Sequence, residues 1–449
     1  MARQIRWWIG WLVMTGAAGA AHAGNDLALA QEDRIAQLER TVETLAEELE
    51  RTQADMAVPE ETGLTSTWGL GPAASKVYQV ARGLSIGGYG EALYTNVVSD
   101  ADGAKDRADA LRTVLYTGYK FSESIVFNSE IEFEHGSTEA DGAVSVEFAA
   151  LDFLWKDWAN FRAGLVLLPV GWINEIHEPP SYFGTHRPEV ERQIIPSTWR
   201  EVGVGMFGII AEQVDYAVYV VNGMNAEGFD AGGLRGGRQN GSEALAEHLA
   251  FVGRVDWTPL PELVVGTSVY HGNSGQNQNF TVSPGGGMAS FMVNLPDTPT
   301  TIWEAHAQYA NRGFFLRGLF TMAFVGDAGE LSRALAPVSE GGIGELDSGE
   351  GIGSQMLGGY AEVAYDVLPW FCDEGEMALL PFFRAEYYDT QRDMPSGFSA
   401  DNSKEIIILT AGMSFKPRPN VVLKADYRNR RSVAGSLPDE VNLGVGFAF

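Results

Sequence analysis

From Leu84 to the C-terminus, apolar and polar residues alternate with a period of two. In the segment 125–133, Ile and Phe occur at odd positions, whereas Asn128, Glu130 and Glu132 occupy even positions. Successive side chains of a β-strand point to opposite faces of its sheet. Each such segment therefore predicts a strand with one apolar face and one polar face.

The same alternation recurs in sixteen segments, each close to the roughly ten residues that a strand needs to cross a bilayer. They lie near 84–96, 110–119, 124–134, 144–155, 160–168, 200–208, 215–222, 250–257, 262–271, 301–310, 313–325, 356–366, 378–389, 405–415, 420–430 and 440–449. Their connections alternate between short and long, which is typical of barrels with short periplasmic turns and long extracellular loops. We therefore predict an all-β fold, a transmembrane antiparallel β-barrel of about 16 strands over 84–449, wide enough for an aqueous channel.

The C-terminal segment supports this prediction. Residues 441–449 carry apolar side chains at odd positions and end in an aromatic residue. This ending resembles the terminal strand by which the outer-membrane assembly machinery recognises its substrates. Phe447 and Phe449 are therefore candidate assembly-signal residues, with chance similarity to a soluble strand as the alternative.

The N-terminal residues fall into three segments. Residues 1–23, in which Arg3 and Arg6 precede an apolar stretch and a small-x-small cleavage motif, predict a signal peptide. Residues 24–58 contain apolar positions spaced by three and four, which predicts a short periplasmic coiled coil, or else a single solvated amphipathic helix. The Gly- and Pro-containing residues 59–83 are predicted to form a linker.

Composition narrows the classes of function. The formal net charge of −28 argues against nucleic acid as a partner. Cys372 is the only cysteine, and no Cys/His cluster has the spacing of a zinc site. A hydrolase would need a nucleophile and a base, and the local pair His271 and Ser274 lies in a stretch that reads as a flexible loop. We therefore expect no enzyme activity, no cofactor and no metal.

Charged residues on the polar strand faces are candidates to line the lumen. An Arg or Lys that faces lipid at the bilayer midplane costs about 2–4 kcal/mol, so these side chains must face water or protein. The candidates are Arg112, Lys120, Glu130, Glu132, Arg162, Arg254, Arg317, Glu362, Arg384, Glu386, Lys424 and Arg428. Solvation of a wide lumen is the alternative to a role in selectivity.

The third long connection, residues 169–199, has an unusual composition for an exposed loop. It contains five prolines and many large apolar side chains. Since an exposed loop would not need such side chains, we predict that it folds into the barrel and narrows the pore. Fixed charges at such a constriction select ions. The candidate constriction residues are His177, Glu178, Arg187, Glu189 and Arg192. A packed external cap or a trimer contact is the alternative.

Short motifs in this region carry a resemblance to a known family. They are Pro169-Val170-Gly171, Glu178-Pro179-Pro180, Tyr182-Phe183-Gly184 and Thr198-Trp199-Arg200-Glu201-x-Gly203. With the helical segment before the barrel and the Phe ending, they make the chain similar to the phosphate-selective porin O and P family. The resemblance implies a homotrimer of sixteen-stranded barrels, an inward third loop and passive diffusion of small anions.

The long loops depart from phosphate selectivity because they are acidic. Loop 326–355 has six acidic residues and Arg333 alone as a base. Acidic mouths concentrate cations within about 8 Å at physiological salt. The loops therefore favour a general or weakly cation-preferring pore as the first hypothesis. The alternative, in line with the resemblance, is an internal anion path built by Arg112, Arg162, Arg254, Arg317 and Arg384.

Together these observations predict a porin in the outer membrane of a Gram-negative-type bacterium. It would pass small hydrophilic solutes or ions, with its N-terminal helix in the periplasm. Its expected partners are the lipid bilayer, lipopolysaccharide, two further copies of the chain and the assembly machinery. The alternative is a non-conducting structural protein that links the cell wall to the outer membrane.

Overall fold

Sixteen antiparallel strands form a closed barrel, which confirms the fold predicted from the alternation. The computed structural model describes residues 34–38, 40–47, 64–99, 103–136, 142–282, 291–336, 350–372 and 375–449. The barrel strands are β1 (Gly83–Ser99), β2 (Arg107–Ser122), β3 (Ile125–Glu134), β4 (Val144–Lys156), β5 (Ala159–Leu167), β6 (Arg200–Ile210), β7 (Val214–Asn222), β8 (Leu249–Leu260), β9 (Leu263–Asn273), β12 (Pro299–Asn311), β13 (Phe314–Val325), β14 (Gln355–Tyr365), β15 (Ala378–Asp393), β16 (Glu405–Arg418), β17 (Val421–Ser432) and β19 (Asp439–Ala448). Three short strands, β10 (Asn279–Val282), β11 (Phe291–Asn294) and β18 (Gly435–Ser436), belong to the connections.

The first and last strands close the barrel. In β1 and β19, Tyr89 lies opposite Ala448 and Tyr94 lies opposite Leu443. Beyond the last strand residue, the Phe449 amide donates to the Gly88 carbonyl at 2.9 Å, and the Gly88 amide donates back at 3.0 Å. The aromatic C-terminus is therefore part of the closing seam.

The two faces of the strands differ as the alternation predicts. Leu409 and Phe320 are each 40% exposed, whereas the next residues, Thr410 and Thr321, are fully buried. Apolar side chains at mid-strand form an outer belt that is unfavourable in water and suited to hydrocarbon. Among the described residues, no helix is both long and apolar enough to span a bilayer.

The N-terminal unit contains a helix in its described part. Residues 34–38 and 40–47 are helical. Its apolar side chains are more than half exposed, namely Ile35, Leu38, Val42 and Leu45. Association of this helix with other copies stays a prediction, and the predicted signal peptide lies outside the described residues.

Residues 64–82 pack against the inner wall of the barrel. The sequence predicted a linker over 59–83 and gave no indication of this packing. Leu70 is 4% exposed, and Ala73 and Ala74 are buried with it among wall residues of the first strands. Asn128 on β3 donates to the Ala74 carbonyl at 2.8 Å. Lys120 on β2 also donates to a backbone carbonyl there, that of Val80, at 2.9 Å. Side chains from several wall strands therefore hold this segment.

The helices outside the N-terminal unit are short and belong to the connections or to residues 64–82. They are Lys76–Gln79, Pro179–Ser181, Glu189–Gln193, Ala226–Gly228, Arg235–Gly237, Ala328–Leu335, Leu368–Trp370 and Asn402–Lys404. Loop residues 168–199 and 224–234 supply Ile194, Trp199 and Leu234 to a buried apolar cluster with the wall. Much of the barrel interior is therefore occupied by its own chain.

Candidate functional site

The loop between β5 and β6 crosses the barrel interior and binds the opposite wall. Its Thr185 amide donates to Asp426 on β17 at 2.6 Å, and Lys424 on β17 donates to the Gly184 carbonyl at 2.8 Å. We call residues 169–199 the internal loop. Since β17 lies far from β5 and β6 around the barrel, these bonds can form only through the interior.

A buried carboxylate organises the start of the internal loop. Glu191 accepts hydrogen bonds from the amides of Trp172 at 2.8 Å and Ile173 at 2.6 Å, and from the Tyr360 hydroxyl at 2.7 Å. Burial raises the pKa of Glu191, and the Ile173 and Tyr360 hydrogen bonds oppose that rise. The loop backbone is therefore fixed by groups that are themselves buried.

Glu189 fastens the loop to the far wall. Its Oε1 lies 2.5 Å from Arg428 Nη2 and 3.3 Å from Arg430 Nη2, both on β17. Burial alone would raise the pKa of Glu189, but the two guanidinium groups outweigh it and lower the pKa to about 2. Glu189 therefore stays ionised and attached at neutral pH.

His177 and Glu178 are buried, contrary to the expectation that they face passing solutes. His177 is 1% exposed, and burial lowers its pKa to about 4. Glu178 is 2% exposed and accepts from the Ala73 amide at 2.9 Å and the Ala74 amide at 3.3 Å. Both side chains hold the internal loop in place, His177 against the wall and Glu178 against residues 64–82.

The predicted lumen-lining residues lie on the inner side of the wall, but protein partners hold them. Arg162 pairs with Asp152 at 2.7 Å, and Arg384 pairs with Glu386 at 2.8 Å. The other pairs are Arg112–Glu91 at 2.8 Å, Arg254–Asp256 at 2.7 Å, Arg317–Glu362 at 3.3 Å and Arg428–Glu189 at 2.5 Å. Lys120 and Lys424 donate to backbone carbonyls, while Glu130 and Glu132 are buried. The wall arginines are therefore largely neutralised and do not form an open anion path.

Four loop arginines lack a directly paired carboxylate, although Glu91 and Glu130 act on the charge of Arg187 at longer range. Across the described ranges, Arg187, Arg192, Arg235 and Arg238 form no ion pair with a carboxylate. Arg238 donates to the Thr198 carbonyl at 2.6 Å, and Arg235 donates to that of Ser197. Arg192 is exposed. We call these four residues the arginine cluster.

The arginines of the cluster act on one another electrostatically. Burial, together with the charges of Arg238, Arg192 and Arg187, lowers the pKa of Arg235 to about 9. Burial, with Arg200 and Arg192 among the neighbouring charges, lowers that of Arg238 to about 10. The positive charges are thus close enough to disfavour each other, and an anion would relieve this repulsion.

The sequence predicted only half of this cluster. Arg187 and Arg192 were among the candidate constriction residues, whereas Arg235 and Arg238 were missed. The latter two lie in the stretch Leu234-Arg235-Gly236-Gly237-Arg238, and its glycines are typical of an ordinary surface loop. The only available signal was the pair of basic residues in an otherwise acidic set of loops.

The closed sixteen-stranded barrel is similar in fold to solved outer-membrane proteins. A loop-deletion mutant of OmpT, an outer membrane protein of Vibrio cholerae, aligns with 82% of this chain and 100% of its own, at 12% identity and a TM-score of 0.51. Salmonella typhi OmpF, solved with daunomycin, aligns with 82% of this chain and 98% of its own, at 10% identity and a TM-score of 0.51. At these identities the likeness concerns the fold alone.

A relative with a much more similar sequence is also found. An uncharacterized protein of Aquifex aeolicus (strain VF5) is 39% identical over 365 residues, which cover 80% of this chain and 78% of the relative. The chain belongs to the same family as that protein. No family model matches the sequence.

Proposed function

We propose that this protein is an outer-membrane porin through which small anions diffuse passively. The observation that carries the proposal is the arginine cluster at the internal loop. Its four guanidinium groups lack carboxylate partners in the described structure, whereas the arginines of the wall are paired. A path beside unpaired guanidinium groups favours anions and repels cations.

The acidic loops and the arginine cluster act at different places. The chain carries a net charge of −28, which favours cations near its outer surfaces. Inside the barrel, water is restricted and nearby fixed charges are less screened than at the surface. The cluster therefore determines selectivity if the conducting path passes the internal loop.

The membrane setting and assembly belong to the same proposal. The apolar outer belt fits a bilayer that contains lipopolysaccharide, and Phe449 at the seam fits a role in recognition by the assembly machinery. The exposed apolar positions of the N-terminal helix fit a homotrimer held partly by a periplasmic coiled coil. Among the described residues, none distinguishes phosphate from other small anions, so the proposal extends to small anions in general.

A non-conducting structural role is the second candidate, and one observation favours it. Residues 64–82 and the internal loop occupy the interior and bury wall residues such as Glu130 and Arg384. A barrel that stays filled in this way would anchor the N-terminal helix without passing solutes.

Reversal potentials across a KCl gradient test the anion proposal. We expect the native channel to prefer chloride, and the exposed R192Q to lose part of that preference because one unpaired positive charge is removed. The matched control R333Q removes an exposed arginine from the helix Ala328–Leu335 and should leave the ratio unchanged. Equal effects of both variants, or a native preference for potassium, would refute the proposal.

A further inference from the structure

Three potential metal ligands meet between the internal loop and the barrel wall. They are Glu130 on β3, Glu147 on β4 and His177 on the internal loop, and their ligand atoms all lie within 4.8 Å of one another. Their side chains are 0%, 2% and 1% exposed. The cluster thus brings together two carboxylates and an imidazole from three separate elements.

The hydrogen bonds of His177 leave its second nitrogen facing a carboxylate. Nδ1 lies 3.0 Å from the Asn174 carbonyl, which can only accept, so this nitrogen carries the proton in the neutral ring. Nε2 then presents a lone pair to Glu130 Oε1 at 3.3 Å. When Glu130 is ionised, two acceptors face each other at this distance, and a cation between them would satisfy both.

Glu130 supplies an independent sign that a ligand belongs here. Its other oxygen, Oε2, is buried and has no hydrogen-bond partner. A buried carboxylate oxygen without a partner carries a desolvation cost of a few kcal/mol or more. Coordination to a cation would offset that cost.

We propose that Glu130, Glu147 and His177 bind one divalent transition-metal ion, of the class of Zn²⁺, and so tether the internal loop to the wall. Mixed imidazole and carboxylate ligands suit such ions. Zn–ligand bonds of about 2.0–2.2 Å place tetrahedral ligand atoms about 3.3 Å apart, which matches the gap between His177 and Glu130.

Asn174 holds His177 and is itself held by buried backbone groups. Asn174, whose carbonyl holds His177, donates through Nδ2 to the carbonyls of Leu168 at 2.7 Å and Trp199 at 2.9 Å. Its Oδ1 accepts from the Trp199 amide at 2.6 Å. Such partners orient a metal-binding histidine and fix its tautomer.

The surrounding charges leave Glu130 unbalanced. Arg200 lies 2.5 Å from Glu147 and neutralises that carboxylate in part. Arg112 is occupied by Glu91 at 2.8 Å and Glu132 at 3.5 Å. Arg187, Arg112 and Arg200 all act on the charge of Glu130 at longer range, and Glu132 opposes them. Since Arg112 and Arg200 are paired with carboxylates, their positive charges oppose the binding of a divalent ion less than free arginines would.

Metal binding is measured on the full mature chain folded in detergent, stripped with a chelator and titrated with Zn²⁺ in a calorimeter. We expect one Zn²⁺ per chain, confirmed by elemental analysis, and about tenfold or greater loss of affinity in H177Q and E130Q. The control H271Q changes an exposed histidine that bonds to Thr301 and should retain the ion. No stoichiometric Zn²⁺ in the native chain, or equal affinity in H177Q and E130Q, would overturn the proposal.

Co²⁺ bound to the native chain provides a test that needs no variant. A site with one nitrogen and two carboxylate ligands should give the visible absorption of a low-coordinate cobalt ion, and excess Zn²⁺ should remove it. If the variants fail to fold, this spectrum decides: its absence rejects the site. None of these readouts depends on conduction, so failure of the proposed channel function would leave them unaffected.

Discussion

Glu189 Oε1 lies 2.5 Å from Arg428 Nη2. Glu189 belongs to the internal loop between β5 and β6, whereas Arg428 lies on β17, on the other side of the barrel. Arg430 approaches the same oxygen at 3.3 Å. Arg428 also pairs with Glu440 at 3.0 Å, so the anchoring guanidinium is itself held in place. This contact joins the end of the internal loop to the far wall.

The Glu189 contact predicts an acid-sensitive attachment. Because the pKa of Glu189 is lowered to about 2 in the folded state, its stabilisation is present above the ordinary value of 4.5 and is lost as the pH falls towards 2. We expect open-channel noise to rise over this acidic range in the native protein, and E189Q to be noisy at neutral pH. E123Q, at a side chain 86% exposed in a short turn, is the control; quiet currents in E189Q would contradict the assignment.

Glu178 predicts a response of opposite sense. Burial raises its pKa to about 7, although the hydrogen bonds from the Ala74 and Ala73 amides oppose that rise, so the buried position is favoured with the carboxyl protonated. This contribution is full below about pH 4.5 and is lost as the pH rises through about 7. We expect residues 64–82 to loosen and conductance to rise over that range.

E178Q provides the matching variant, since a neutral amide oxygen still accepts from the two backbone amides. We expect its conductance to stay low and independent of pH between about 5 and 8. A native-like pH dependence in E178Q would show that another group is responsible.

The apolar outer belt predicts the positions at which a charged side chain destabilises the barrel in the membrane. Phe320 lies in the middle of β13 and is 40% exposed. F320R should destabilise the inserted barrel by about 2–4 kcal/mol, as for other lipid-facing positions near the midplane. V433R, at a 55% exposed turn position, should cost little. Urea titration of protein folded into vesicles measures both, and equal midpoints would argue against a lipid-facing belt.

Phe449 combines two roles that variants can separate. Its backbone closes the seam with Gly88, and its ring stacks on Phe447 at 6.4 Å between centroids. Deletion removes both, whereas F449A keeps the backbone bonds. We expect both variants to assemble poorly if the ring is the assembly signal. Normal assembly of F449A beside failure of the deletion would assign Phe449 to seam closure alone.

The barrel was predictable because its pattern is local. Every predicted strand range overlaps its observed strand, from 84–96 against Gly83–Ser99 to 440–449 against Asp439–Ala448. Side-chain alternation reports which face is buried without any knowledge of the partner strand. The charged positions on the inner face followed from the same rule.

What fills the barrel was not predictable from such a pattern. Residues 64–82 contain the Gly and Pro residues of a linker, and their contacts reach Glu178 and β3, which are distant in sequence. The pairing of Arg317 with Glu362 depends on the register between β13 and β14. The proposed metal ligands likewise come from three elements, so no spacing rule reveals them.

Single-channel recording of the purified, folded protein in planar bilayers tests the central claim that this barrel encloses a water-filled path. We predict discrete conductance steps from the native, heat-modifiable protein. Deletion of residues 64–79 should enlarge these steps, because most of the segment that packs against the inner wall is then absent. Correctly folded protein that inserts into the bilayer yet gives no steps, with or without that segment, would contradict the account and favour the structural role.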